Sequence, residues 1–341
     1  MNSMQRFSNL LAGQPTDRRP FTLVLSLYGA RLTGCPLDQH YSDPAAYTQG
    51  QAAVRETFLP DVLFAPVCTA LIGAAFGAKL RFLTGNAPII AAPAIESVQE
   101  WHRLHVPDPD RQPHLLYVRE ALRRLVAEHR GQVPVAALFL APFDIPMMVM
   151  GMGPWMETVL FDRPTAERIA RDLIPFFVKT ANRLFEDGAD YLLLPCAFAS
   201  PGIMPREIVE QFSRPILAHA LAQVRGPVAL HHLDHPLLSY LDLLAGLPAV
   251  SAFSLAQADS LSRAREVIGP GPLLLSGPET QLLRKGATTE IEAICRAMLE
   301  DRRDDRRFIL CNSGADVLFD TPPENIHAVR HAVESFGSSP A

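Results

Sequence analysis

The sequence predicts an α/β fold, a (β/α)8 TIM barrel with an N-terminal helical extension, on three observations. Eight short apolar runs recur along the chain, each followed by a helical pattern or a helical connection. The runs are apolar throughout rather than alternating, as in parallel strands buried on both faces. No Gly-rich dinucleotide fingerprint or phosphate loop follows any of them, which favours the barrel over a doubly wound sheet.

The elements follow in order. Residues 1–20 are polar and basic and read as a short helix with an extended lead-in. The first strand is Phe21 to Leu27, ending at Tyr28-Gly29-Ala30-Arg31. Ser42-Asp43-Pro44 supplies a cap and a first-turn proline for a helix reaching about Phe58. Asp61 to Pro66 is the second strand. Thr69 to Pro93, rich in Gly and Ala, is an elaborated connection with strand-like pieces at Lys79–Leu83 and Ile89–Ala91. Helices are expected over Ser97–His105 and Gln112–His129, before a third strand from Val133 to Phe143. Five methionines then fall between positions 147 and 156 and suit a plastic core or an adaptable binding wall. A long helix is expected from Thr165 to Phe185. From there strand and helix alternate regularly. Strands are expected at Tyr191–Ala197, 228–233, Ala249–Ala256, Pro272–Gly277 and Phe308–Gly314. Helices are expected at Met204–Val224, Leu237–Leu244, Ser260–Ile268, Glu279–Leu299 and Pro323–Phe336. No break in composition marks a linker, so residues 1–341 read as one domain.

With 341 residues, 48% of them hydrophobic and 20% charged, the chain can build a sizeable core. A net charge of −5 argues against nucleic acid as a partner. No apolar run approaches the roughly 20 residues that span a bilayer, which argues against a membrane role. The N-terminus lacks a secretory signal's apolar centre and cleavage site, so the chain reads as cytoplasmic. Five scattered cysteines without a CxxC pair argue against a disulfide framework or zinc ribbon. Cys295, inside a helical pattern, reads as core.

The stretch Pro227 to Pro236, PVALHHLDHP, carries the chemistry. An apolar strand delivers His231, His232, Asp234 and His235 at its C-terminal end, where a barrel gathers its catalytic groups. Other polar residues expected at that mouth are Arg31, Asp144, Cys196, Asp259, Glu279, Cys311, Asn312 and Asp316. Zinc takes thiolate, imidazole and carboxylate ligands, and Cys196, His231 and Cys311 could supply three from three strands. A metal-free site is the alternative, with His231 or His232 as an acid/base held by Asp234 or Asp144. Arg31 could anchor a carboxylate or phosphate. Strand alternation places His231 and His232 on opposite sides.

The chain resembles the uroporphyrinogen decarboxylase superfamily, which includes methylcobamide:coenzyme M methyltransferases and corrinoid O-demethylase methyltransferases. The resemblance spans nearly the whole chain. It rests on LFLAPFDIPMMVMG, LFEDGADYLLLPCAFASPGIMPREIVEQFSRPI, VALHHLDHP, LLLSGPETQLLRKGATTEI and FILCNSGADVLFDTPPENIHAVRHAV. It implies a (β/α)8 barrel and a tetrapyrrole-related or methyl-transfer activity. The methyltransferases hold zinc with a His-x-Cys pair and a later Cys before TPxENI. Here the His is His231, but the cysteine positions hold Leu233 and Ala315. The decarboxylases' substrate-binding Asp falls near Pro66, and their arginine loop is reduced to Arg31.

The leading expectation is a divergent methyltransferase moving a methyl group between a small substrate or thiol and a corrinoid or folate carrier. Catalysis is expected from His231, Asp234 and Asp144, with zinc held by His231, Cys196 and Cys311. Substrate contacts are expected from Arg31, His232, His235, Asn312 and Asp316. A corrinoid protein is the expected partner. The alternatives are a metal-free decarboxylase or lyase on a small carboxylate or tetrapyrrole, and a corrinoid- or porphyrin-binding protein without catalysis.

Overall fold

Seven parallel strands curl into one sheet in the computed structural model, which describes residues 1–337. They are β1 (Leu63–Phe64), β4 (Val135–Leu138), β5 (Tyr191–Pro195), β6 (Val228–His231), β7 (Val250–Ser254), β8 (Leu273–Ser276) and β9 (Phe308–Leu310), neighbours in that order. A separate antiparallel hairpin, β2 (Lys79–Leu83) and β3 (Asn86–Ala92), occupies the connection after β1. The register puts His231 opposite Pro195 of β5 and Ser254 of β7, level at the C-terminal rim.

The first expected strand is reduced to one bridge, Phe21 with Leu310. The Asp61 N–H donates to the Phe21 carbonyl at 2.9 Å, so Phe21 links β9 to the start of β1 and completes the circuit. The ladder stops there because other groups take the backbone of Val24. Its N–H donates to Asn312 Oδ1 at 2.8 Å, and its carbonyl accepts from the Val317 N–H at 2.8 Å. Tyr28–Thr33 then coils into a helix.

Both faces of the sheet are buried, which is why the strands read as unbroken apolar runs. Tyr191, Leu193, Ala229, Ala252, Leu273, Leu275 and Ile309 fill the interior, while Leu192, Leu194, Leu230, Phe253 and Leu310 pack outward against helices. The helix Ser3–Ala12, opened by a capping box between Asn2 and Gln5, inserts Phe7 and Leu10 into the interior cluster from the N-terminal end. The Phe7 ring stacks on Tyr191 at 5.8 Å, leaving an apolar gap of only about 20 Å³. Asp61 holds this plug through Arg6 (3.0 Å) and Arg18 (2.6 Å). One end of the barrel is closed, so ligands must use the other.

Prolines revise the helices. The long helix expected from Thr165 is two helices, Arg163–Asp172 and Ile174–Glu186, and its cap is Asp162, which accepts the Thr165 N–H. Pro175 has no N–H to continue the first helix, so the chain restarts. Pro215 likewise turns part of the next helix into a π segment at Val209–Ser213. Met147 and Met150 of the Met-rich stretch are buried core. No helix among the described residues is long and apolar enough to cross a membrane.

Candidate functional site

β6 ends on His231, whose side chain is buried. The Leu233 N–H donates to His231 Nδ1 at 3.1 Å. A nitrogen accepting that bond carries no proton, so the neutral ring is protonated on Nε2. Burial pushes the imidazole down to about 4, while a hydrogen bond with the Gly314 backbone works the other way. The turn that brings Leu233 back over His231 is strained, since Leu233 (φ 50°) and Asp234 (φ 62°) are both left-handed. Asp tolerates that region; Leu does so at a cost of about 1–2 kcal/mol.

The chain has left the strand at residue 232, so alternation no longer separates the two histidines. Their rings stack with centroids 4.7 Å apart. This corrects the expectation of opposite sides. His232 Nε2 lies 3.3 Å from Ser313 Oγ, and its Nδ1 is buried without a partner. Burial, then the neighbouring His231 and His235, push it down to about 3.

Above these rings lies a cleft of about 410 Å³ at the C-terminal mouth. Its walls are largely apolar, including Leu27, Val67, Leu138, Pro195, Leu233 and Leu318, with Thr69, Asn86, Thr280 and Gln281 as neutral polar groups. Its charged groups are Asp234 and Asp316; no Lys, Arg or His lines it. Asp316 is half-buried. Its Oδ2 accepts the Leu27 N–H at 3.0 Å, and its Oδ1 is buried without a partner. Burial pushes the Asp316 carboxyl well above the ordinary range, against the pull of the Leu27, Val317 and Ser26 backbone N–H groups. Asp234 stands exposed at the rim with neither a hydrogen bond nor an ion pair, its carboxyl raised by partial burial. Gly314 makes room for it: a Cβ there would lie 2.9 Å from Asp234 Oδ1 and 2.8 Å from Thr280 Cγ2.

The other expected residues serve elsewhere. Arg31 donates to the Phe319 (2.8 Å) and Thr321 (2.6 Å) carbonyls and stacks over Tyr28. Asp144 is fully buried and accepts the Ala197 and Phe198 N–H groups at 3.1 and 2.9 Å, with burial raising it to about 8. Asn312 clamps Val24 and the Gly314 carbonyl. His235 packs over Gly202. Asp259 caps the Leu237 and Leu238 N–H groups, and Glu279 is exposed.

The expected zinc set does not assemble. Pro195 shares the interior register with His231, so Cys196, one residue on, packs with the outward layer beside Asp144. Cys311 does face the interior, but burial raises its thiol to about 12, and it does not line the cleft. Among the described residues no three His, Cys, Asp or Glu side chains group as metal ligands. Leu233 and Ala315, at the two expected cysteine positions, both line the cleft. The pocket is in place and its thiolates are not.

Sequence reasoning missed Cys68, Thr69, Thr280 and Gln281. Each follows closely on a strand, β1 or β8, and the first polar residues past a strand end are the signal that marks them. Asn86 comes from the hairpin and carries no such signal.

The family model described as uroporphyrinogen decarboxylase matches residues 2–336. A uroporphyrinogen decarboxylase from Alkalilimnicola ehrlichii is 31% identical over 108 residues, a match spanning 30% of this chain and 28% of that protein. Among solved structures, a methyltransferase from Methanosarcina mazei superposes with a TM-score of 0.86 at 19% identity, covering 98% of this chain and 99% of its own. A B12-independent methionine synthase from a Shewanella species superposes with a TM-score of 0.57 at 11% identity, covering 87% of this chain and 89% of that one. The structural likenesses bear on the fold and bring the barrel into agreement with its strand count. By the match over nearly its whole length, the chain belongs to the uroporphyrinogen decarboxylase family.

Proposed function

We propose that this chain is a methyltransferase that works on a small molecule in the mouth cleft, with the Asp316 carboxyl as a Brønsted acid where its relatives would use zinc. The observation that carries this is the Asp316 carboxyl, one oxygen of which is buried without a partner, in a cleft lined by no cationic side chain, where burial favours its protonated form. At about 410 Å³ the cleft suits a small substrate and not a corrin ring as well. The carrier therefore meets the substrate from outside, on a partner protein docked over the mouth. A corrinoid there, or a folate, would supply the methyl-accepting centre.

The chain's own residues then handle the substrate. The bond between the methyl carbon and its heteroatom breaks, and the electron pair stays on the heteroatom. Asp316 passes its proton to that atom, and the methyl goes to the carrier. Solvent reprotonates the carboxylate before the next turnover. General acid help of this kind is worth about 10²–10⁴-fold. His231, neutral and bonded to Leu233, is a positioning residue for the turn that carries Asp234.

A polycarboxylate such as uroporphyrinogen needs several fixed cations. A small carboxylate needs one, and Arg31, the expected anchor, is committed to the Phe319 and Thr321 carbonyls. The test is methyl transfer from methylated amines and ethers to reduced cobalamin, followed by absorbance. Turnover that drops at least a hundredfold in Asp316→Asn supports the reading; turnover unaffected by Asp316→Asn sinks it.

A further inference from the structure

We propose that the mouth cleft selects a small organic cation, a methylated amine held as its ammonium ion, with Asp234 as its counter-charge. The proposal rests on the methyl-transfer reading, since it names the substrate class of the same cleft.

Charge balance around the barrel points to it. Carboxylates that are buried or half-buried elsewhere have built-in partners: Asp61 has Arg6 and Arg18, and the half-buried Asp187 and Asp305 have Arg119 with Arg123 and Arg265. Asp144 and Asp259 have backbone N–H groups instead. Asp234 has neither, and Asp316 leaves one buried oxygen unpartnered. Two carboxyl groups thus face one apolar cleft with no protein cation to neutralise them. A carboxylate at the rim of an apolar wall, with no protein cation beside it, complements a ligand cation and repels a ligand carboxylate.

Of the surrounding titratable groups only His235 bears on Asp234 as a positive neighbour, and none reaches it by a hydrogen bond or ion pair. His231 and His232 are buried and held neutral beneath the cleft. His235 faces Asp234 from the same loop, and Tyr41 and Cys68 adjoin Asp316. The apolar lining, from Leu27, Val67, Leu138 and Leu233, suits N-methyl groups rather than a hydrated ion. The methyl-transfer chemistry is consistent with this charge. An amine that enters as its ammonium ion already carries the proton, and the free-base fraction takes it from Asp316; in both cases the ammonium stands beside Asp234. Its C–N bond then breaks with the electron pair left on nitrogen, and the departing amine keeps the proton.

Three probes of one shape separate charge from fit: choline, its uncharged isostere 3,3-dimethylbutan-1-ol, and 3,3-dimethylbutanoate, titrated calorimetrically into the full chain. Choline should bind at least about tenfold more tightly than the alcohol, and the carboxylate weakest of all, an ion-pair preference of ~1.4 kcal/mol. Asp234→Asn should bring choline down to the alcohol's affinity; Asn accepts the left-handed backbone there, so the turn is kept. As a check independent of any variant, salt at 0.5 M should weaken choline and leave the alcohol unchanged. Equal or tighter binding of the alcohol or the carboxylate overturns the proposal. Methyl transfer from neutral ethers without a cation preference also overturns it, while the methyl-transfer reading survives. A clear choline preference with no methyl transfer from any amine keeps the cation site and removes the methyl-transfer reading.

Discussion

The backbone N–H of Leu233 donates to Nδ1 of His231 at 3.1 Å, closing a turn whose two central residues are left-handed. This bond settles the imidazole's tautomer and offsets the turn's strain. His231→Ala leaves a part-buried N–H without its acceptor and should destabilise the fold by about 1 kcal/mol or more. The shift in urea midpoint measures it. Asp234 should lose its position as well, so the choline preference should fall together with stability; a variant of unchanged stability would show that the bond does not hold the turn.

Buried histidines set the acid limit. His231 and His40 sit at about 4, against 6.5 for an ordinary imidazole, and both are lowered by burial. Below 6.5 the unfolded chain binds protons that the folded one refuses, so stability is full above 6.5 and is lost as pH falls toward 4. Melting temperature across that window should drop steeply. His40→Asn combined with His231→Asn should flatten the slope even though the starting stability is lower.

Asp144 works in the opposite sense. Its folded value of about 8 lies above the ordinary 3.8, so its contribution is complete below 3.8 and is lost as pH rises through 8. Asp144→Asn, which mimics the protonated carboxyl, should reduce the loss of stability between pH 4 and 8. Asp144→Ala strips the acceptor from the Ala197 and Phe198 N–H groups and should cost several kcal/mol, about 1–3 for each N–H. Equal melting temperatures for the two variants would contradict this role.

If Asp316 gives a proton, its pH profile has one required sign. Activity should hold while the carboxyl keeps its proton and decline as alkali removes it. Single-turnover rates between pH 6 and 10 test this; a rate that rises through an acidic pKa would instead make the group a base.

Gly314 and the cysteine positions offer two constructive tests. Gly314→Ala puts a methyl 2.9 Å from Asp234 Oδ1 on a backbone with φ 118°, so choline affinity should fall at least about tenfold, ~1.4 kcal/mol, through a displaced carboxylate. Leu233→Cys together with Ala315→Cys restores two thiolates to a wall that already faces His231's turn. That double variant should take up about one zinc per chain where the parent takes up none, read by metal analysis after gel filtration.

The sequence by itself determined the barrel. Runs such as YLLLP and VALH are apolar on both faces, and only parallel strands between an interior and a helix layer need that. It also placed His231 near the end of a strand at the open mouth, which the structure ends on His231 itself, and it determined that the residues at 233 and 315 are not cysteines. Tertiary structure decided the rest. Phe21–Leu27 has strand composition, yet Asn312, 288 positions further on, claims the Val24 N–H and ends the ladder. Cys196 and Asp144 stand at strand ends like catalytic residues, but a one-residue phase turns the first outward, and two loop N–H groups occupy the second. Arg31 reads as an anchor until its guanidinium meets the Phe319 and Thr321 carbonyls. Whether a polar side chain faces a substrate depends on which distant backbone groups reach it first. Residue type and spacing carry no record of that competition, so Asp316 was one candidate among many in the sequence, and its unpartnered oxygen at the cleft emerged only once the chain had closed around it.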